Sequence, residues 1–388
     1  MKLAHRVQSL TSSPTLAITS KAKQLKKDGV DVVSFGAGEP DFDTPEHIKE
    51  AAVKAISEGF TKYTPSTGTP QLKAAIVEKF RKDNNLHYDS SQIVVSNGAK
   101  HSLYSILQII CDKDDEIIIP MPYWVSYPQM VKVAQGKPVF IQGEEKNKFK
   151  ITPEQLEKAI KKKTKAVIIN SPSNPTGCVY TKEELKQIAK IATDYGIYVI
   201  SDEIYEKLIY DKAEHVSIAS LDEKMYPLTF TVNGLSKAYS MTGWRIGYLA
   251  GPKEAVSKIS NLQDHSTSCP NSIAQAAAVA ALSGGDDCIN IMKKEFVKRR
   301  DYIVDRINAI EGLSVVKPEG AFYVFCNISK TGLDSLEFAQ RLLDEAQVAV
   351  IPGIGFGQSE YIRLSFATST EQIEKGLDRI SEWVKNLN

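Results

Sequence analysis

The sequence predicts an α/β protein: a mostly parallel sheet of seven strands sandwiched by helices, completed by a smaller α+β lobe. Three observations carry this. Seven short apolar, β-branched runs between residues 90 and 250 alternate with amphipathic stretches, as expected of a sheet buried on both faces. Beyond residue 290 the rhythm changes to a long polar helix pattern followed by four strand-like runs and a last helix. A chain of 388 residues also exceeds one small core and calls for two or three compact units.

Taken in order, residues 1 to 45 are turn-rich and stand outside the rhythm. The seven runs are QIVVS, EIIIP, PVFIQ, AVIIN, IYVIS, LTFTV and GYLAG. Between them the helices announce themselves by their ends. Thr152, Pro153 and Gln155 supply a cap, a first-turn proline and a capping box before Leu156, Ala159 and Ile160 share a face. Thr181 and Glu184 repeat the device before Leu185, Ile188, Ala189 and Ala192, and Gly196 ends that helix. The lysine-rich KKKTK at 161–165 reads as the close of the first of these helices, its charges set against the dipole. In the last section LSVV, AFYVF, VAVI and YIRLSFA precede a helix capped by Ser369 and lined by Ile373, Leu377, Ile380 and Val384. Residues 46–290 are therefore expected to form the large domain, and 1–45 with 291–388 the small domain and an N-terminal arm.

Composition narrows the partners. With 42% hydrophobic and 24% charged residues the chain is an ordinary globular protein. Its 48 basic and 47 acidic side chains leave a net charge of +1, which offers no electrostatic footprint for nucleic acid or anionic lipid. A small-molecule partner is expected, with neither nucleic acid nor membrane. The five cysteines, 111, 178, 269, 288 and 326, have neither CxxC nor His-paired spacing, so no disulfide framework and no metal site is signalled. No apolar run reaches signal-peptide or membrane-span length, and a cytoplasmic protein is expected.

Ligands of an open parallel sheet gather beyond the carboxyl ends of its strands, so the residues after each run matter most. NGAKHSL follows the first, SPSNPTG the fourth, DEIY the fifth and NGLSK the sixth. Asp202 ends a strand expected to be buried on both faces, where a carboxylate needs a cationic partner. Its ordinary reading is an N-cap for a helix over EIYEKL. Gly98, Ala99 and Lys100 lie where a strand turns into a helix, so free N–H groups point at an anion; a glycine there is otherwise simple turn chemistry. Arg245 and Ser236 offer a planar fork and a hydroxyl to the same anion. Lys237 follows a buried strand within NGLSKAYSMTGWRIG. Most lysines are solvated surface charges, but one in that setting, near another cation, can be a neutral amine that attacks a carbonyl. A reactive amine, a carboxylate for a ring nitrogen and a phosphate seat are the three handles that pyridoxal 5′-phosphate requires.

These residues resemble the class I aminotransferases of fold-type I, the pyridoxal-phosphate enzymes. GLSKAYSMTGWRIG is similar to that family's lysine signature, and AGEPDFDTP, KYTPSTG, SNPTG, SDEIY and IRLSFA follow the family in order over nearly the whole chain. PYWVSYP and MTGWRIGY resemble the bacterial aspartate aminotransferase branch, subgroup Ib. The resemblance implies that Lys237 forms the covalent link to the cofactor and then shuttles the proton. Asp202 would bind the pyridine nitrogen, Tyr205 and Asn174 the ring oxygen, and Trp124 would stack on the ring. Gly98, Ala99, Lys100, Ser236 and Arg245 would hold the phosphate, with Tyr63 reaching in from the second subunit of a homodimer with shared active sites. Arg363 would clamp the substrate α-carboxylate beside Asn174, Trp124 and the backbone of Gly38, while Lys100 and Thr15 would meet a second carboxylate. Gly234 stands where many relatives carry a serine.

The implied activity is ping-pong transamination between an L-amino acid, aspartate first among them, and a 2-oxo acid such as 2-oxoglutarate or oxaloacetate. Aromatic amino acids or prephenate are alternative substrates, and a lyase of the same fold is an alternative activity. A nicotinamide oxidoreductase shares the α/β pattern, but GIGFGQ at 353–358 has the wrong glycine spacing for a dinucleotide fingerprint.

Overall fold

A computed structural model describes residues 4–8, 10 and 14–387, with the side chains of 5 and 14–17 outside its description. The strands are, in chain order, β1 (Val33–Ser34), β2 (Ile93–Ser96), β3 (Glu116–Met121), β4 (Lys137–Gln142), β5 (Thr164–Asn170), β6 (Tyr198–Asp202), β7 (Thr229–Gly234), β8 (Gly247–Ala250), β9 (Ser314–Val315), β10 (Tyr323–Asn327), β11 (Val348–Ala349), β12 (Ile351–Pro352) and β13 (Tyr361–Ser365). All seven runs read from the sequence join one sheet, ordered β2-β8-β7-β6-β5-β3-β4. Its β7-β6-β5-β3-β4 portion is parallel, whereas β8 runs antiparallel to both β7 and β2.

The two-sided burial expected of such strands is visible residue by residue. Ile117 and Ile119 of β3, Ile168 of β5 and Ile200 of β6 face one apolar cluster, which includes Leu103, Ile106 and Val131. Their neighbours Ile118, Val167, Ile169 and Val199 face another, with Leu156, Leu185 and Ile188. The period-two alternation of a strand delivers apolar side chains to both layers, and helices cover each.

Both capping boxes are present. Thr152 and Gln155 start helix Pro153–Ala159, and Thr181 and Glu184 start Lys182–Tyr195, which Gly196 ends with φ +64°. Ser369 caps Thr370–Lys385.

Past helix Asp287–Asn308, a four-stranded antiparallel sheet is ordered β12-β13-β10-β9, and β1 pairs in parallel with β11. The VAVI run therefore splits: Val348 and Ala349 serve the two-stranded sheet, Ile351 the four-stranded one.

Three local expectations are corrected. The turn-rich N-terminal section contains a helix over Pro14–Lys27. KKKTK does not close a helix, because Pro153–Ala159 ends before it; Lys161–Lys163 form the turn into β5 and Thr164 is the strand's first residue. EIYEKL is turn rather than helix, so Asp202 caps no helix and from that turn accepts only the Ile204 N–H.

Candidate active site

One cavity of about 420 Å³ opens at the carboxyl ends of β5, β6 and β7. Gly38, Ala99, Lys100, Trp124, Asn174, Asp202, Tyr205, Ser236, Lys237, Arg245 and Arg363 line it. The topology explains this convergence. Asp202 is the last residue of β6 and is paired with Asn170 of β5 and Val232 of β7. Because β7 returns directly as antiparallel β8, their connecting loop holds Lys237 and Arg245 at the same rim. Arg363 comes from the four-stranded sheet, on β13 opposite Phe325.

Lys237 is half-buried, and its Nζ donates to the Gly38 carbonyl oxygen. Burial first, then the positive charge of Arg363, lowers its pKa to about 8. Burial also explains Asp202, whose carboxyl is raised to about 6. Among the described residues no cationic side chain hydrogen-bonds Asp202. Tyr127 Oη donates to Oδ2 at 2.6 Å and the Ile204 N–H to Oδ1 at 3.3 Å. The phenol brings a donor into an apolar layer without a second charge to desolvate.

The Arg363 guanidinium is buried. It donates to Asn174 Oδ1 at 3.0 Å and to the Gly36 carbonyl at 3.2 Å, and lies 4.3 Å from the Tyr323 ring centroid. Its Nε has no partner, and no carboxylate pairs with it among the described residues. Burial without a counter-ion lowers its pKa. Such a group is prepared to take an anion from solution.

The anion seat forms around helix Ala99–Ile110, whose N-cap Gly98 has φ +83°. A Cβ on Gly98 would fall 2.2 Å from Arg245 Nη2, and one on Gly247 would fall 2.1 Å from the Ala99 nitrogen. Glycine at both positions lets Arg245 and β8 close on the helix start. Arg245 adopts φ +57° and donates to the carbonyls of Thr242 at 2.9 Å and Asn97 at 3.3 Å. A Cβ at Gly234 would lie 3.0 Å from the Gly247 Cα, so glycine there also suits the close β7–β8 approach. The Lys100 ammonium sits 4.8 Å from the Trp124 ring centroid; burial and Arg245 lower its pKa.

Of the other expected site residues, Gly98 stands beside Ala99 as the helix cap without lining the cavity itself. Tyr63 is 93% exposed and does not line the cavity within this chain. Thr15 lies in helix Pro14–Lys27, and its side chain is outside the described residues. Conversely, sequence reasoning missed Tyr127, Tyr323, Asn170, Glu39 and Thr242, all on the lining. Tyr127 lies within PYWVSYP, three residues from the selected Trp124, but only the fold brings it to Asp202. Tyr323 meets Tyr205 across 3.0 Å between hydroxyls, a pairing of β10 with the turn after β6 that no local pattern shows.

Behind the site, Glu203, Glu206 and His215 bring ligand-type atoms within 4.8 Å of one another. Lys79 pairs with Glu206, Asn84 donates to both carboxylates, and Ser217 donates to Glu203 at 2.6 Å. Protein donors already meet that charge.

With this geometry in view, the similarities are specific. Residues 30–380 match the family described as aminotransferase class I and II. The chain is 52% identical over 390 residues to an aspartate aminotransferase of Bacillus subtilis, covering 99% of each. It is 47% identical over 391 residues to a probable aspartate/prephenate aminotransferase of Aquifex aeolicus, again covering 99% of each. Its fold matches the Thermus thermophilus aspartate aminotransferase structure with maleate at a TM-score of 0.95 and 43% identity, over 98% of this chain and 99% of that one. Seven strands in the expected sheet, a lysine of lowered pKa at its rim and a full-length match lead to one conclusion: the chain belongs to the class I and II aminotransferases.

Proposed function

We propose that the chain is a pyridoxal 5′-phosphate-dependent aspartate aminotransferase that passes the amino group of L-aspartate to 2-oxoglutarate. The observation that carries this reading is the convergence on one cavity of the Lys237 amine, the buried Asp202 carboxylate and the Arg363 guanidinium without a carboxylate partner. The residues fit the cofactor. Ala99 and Lys100 would hold the phosphate through backbone N–H groups at a helix start that Gly98 leaves open, with Ser236 and Arg245 beside them. Trp124 would cover the ring face, Asn174 and Tyr205 would hold the ring oxygen, and Asp202 the ring nitrogen.

When bound, pyridoxal phosphate supplies an aldehyde that captures amines and a pyridine ring that takes up electron density as the substrate Cα–H bond breaks. The chain's residues do the rest. Asp202, as carboxylate, keeps a proton on the ring nitrogen. Arg363 fixes the plane of the substrate α-carboxylate, orienting the Cα–H bond toward the base. Lys237 as a neutral amine takes the Cα proton and delivers it to the cofactor's C4′ atom. Lys100, with Thr15, would meet the second carboxylate of aspartate. The Aquifex relative's double name makes prephenate the second acceptor to test.

We further propose a homodimer in which Tyr63 completes the partner's phosphate seat, a division into 46–290 and 1–45 with 291–388, and a cytoplasmic setting that suits five free cysteines. The central test is reduction of the protein–pyridoxal phosphate complex with borohydride, then peptide mapping. The label is expected on Lys237 and is lost in Lys237→Ala together with transamination of aspartate. A label on another lysine, or turnover by the alanine variant, overturns the reading.

A further inference from the structure

Tyr127 is 2% exposed and stands in the first turn of helix Ser126–Val133. Its hydroxyl reaches across the rim to Asp202 Oδ2 at 2.6 Å, between residues 75 apart in sequence. The Trp124 ring meets the Tyr127 ring edge-on, with centroids 5.3 Å apart and planes at 80°. The groups acting on Asp202 are few: Tyr127 from this helix, Glu203 and the Ile204 N–H from the turn after β6, and Lys237 from the loop after β7. Glu203 opposes ionisation of Asp202 and Lys237 assists it only at a distance, so the two direct hydrogen-bond donors are the phenol and one backbone amide.

We infer that Tyr127 is a positioning residue, whose O–H fixes the Asp202 carboxylate in direction and holds it ionised for the ring nitrogen of the cofactor. This rests on the function proposed above. The physical basis is that a hydrogen bond to a charged group is worth more than one to a neutral group, and removing it from a buried acid favours the protonated form. Tyr127 can do this at any working pH, because burial and the facing carboxylate hold its own ionisation well above the usual phenol range. The ordinary alternative is that a buried phenol merely found an acceptor. The two differ in what happens when the hydroxyl alone is removed.

Tyr127→Phe keeps the ring against Trp124. The acid limb of its kcat–pH profile is expected to move up by about one pH unit, and the affinity of the apoprotein for pyridoxal phosphate, read by fluorescence titration, to fall about fivefold or more. In an Asp202→Asn background the same substitution should change that affinity less than twofold, since the carboxylate it served is gone. An unmoved limb with unchanged affinity overturns the inference, as does an equal affinity loss in the Asp202→Asn background, which would mean a packing role. Should Tyr127→Phe not fold, 3-fluorotyrosine at position 127 keeps the shape and strengthens the donor. The limb should then move down, and an unmoved or rising limb overturns the inference. Borohydride labelling of the wild type separates the two levels: a missing Lys237 label removes the underlying function, whereas a labelled wild type with an indifferent variant removes only Tyr127.

Discussion

An amine is a nucleophile only when neutral, so the setting of Lys237 matters more than its presence. An ordinary lysine is neutral in about one molecule in 300 at pH 8, whereas Lys237, lowered to about 8 by burial and Arg363, is half neutral there. The sign follows: below pH 8 the neutral fraction falls tenfold per unit. Capture of pyridoxal phosphate by the apoprotein, followed by stopped-flow absorbance, should accelerate as pH rises and level off above about 8. A rate still rising tenfold per unit at pH 9 to 10 would mean an unperturbed lysine. Lys237, Asp202 and Arg363 were legible because each sits in a distinctive stretch. Tyr127 and Tyr323 were not, since a tyrosine in an apolar run reads the same whether its hydroxyl meets a carboxylate or solvent.

At the scale of elements, the helix ends were readable because capping is local: Thr152 with Gln155 and Thr181 with Glu184 lie within one turn. EIYEKL and KKKTK misled because composition allows a helix where tertiary contacts impose a turn. Glu203, in the first of these, gives its backbone N–H to the Val232 carbonyl at 2.9 Å and so carries the pairing with β7 one residue past β6. The most sensitive junction joins β8 to the start of helix Ala99–Ile110. Gly247→Ala would put a Cβ 2.1 Å from a backbone nitrogen, and neither backbone can yield without opening the anion seat. A loss of about 1–3 kcal/mol is expected by urea unfolding, with weaker cofactor binding; a stable variant with wild-type affinity would show that the junction gives way freely.

For the whole molecule, the site draws on separate parts of the chain. Arg363 on β13 bonds Asn174 beyond β5 and the Gly36 carbonyl within the N-terminal section. Tyr63, 93% exposed, gains a role only if a second copy approaches. Light scattering should therefore give twice the chain mass. Tyr63→Phe should weaken pyridoxal phosphate binding about tenfold or more, the worth of one charge-assisted hydrogen bond. A monomer that binds the cofactor fully would remove Tyr63 from the site.

The sequence by itself determined the α/β class, the seven strands, the helix caps and the lysine signature. Each depends on periodicity, turn chemistry or spacing within a few residues. Only the tertiary structure decided that β8 runs antiparallel, that the Tyr127 phenol meets Asp202, and that Arg363 lies buried against Tyr323 without a carboxylate among the described residues. Those outcomes depend on which distant surfaces share a buried volume, where desolvation sets the ionisation of each group, and no local pattern encodes it.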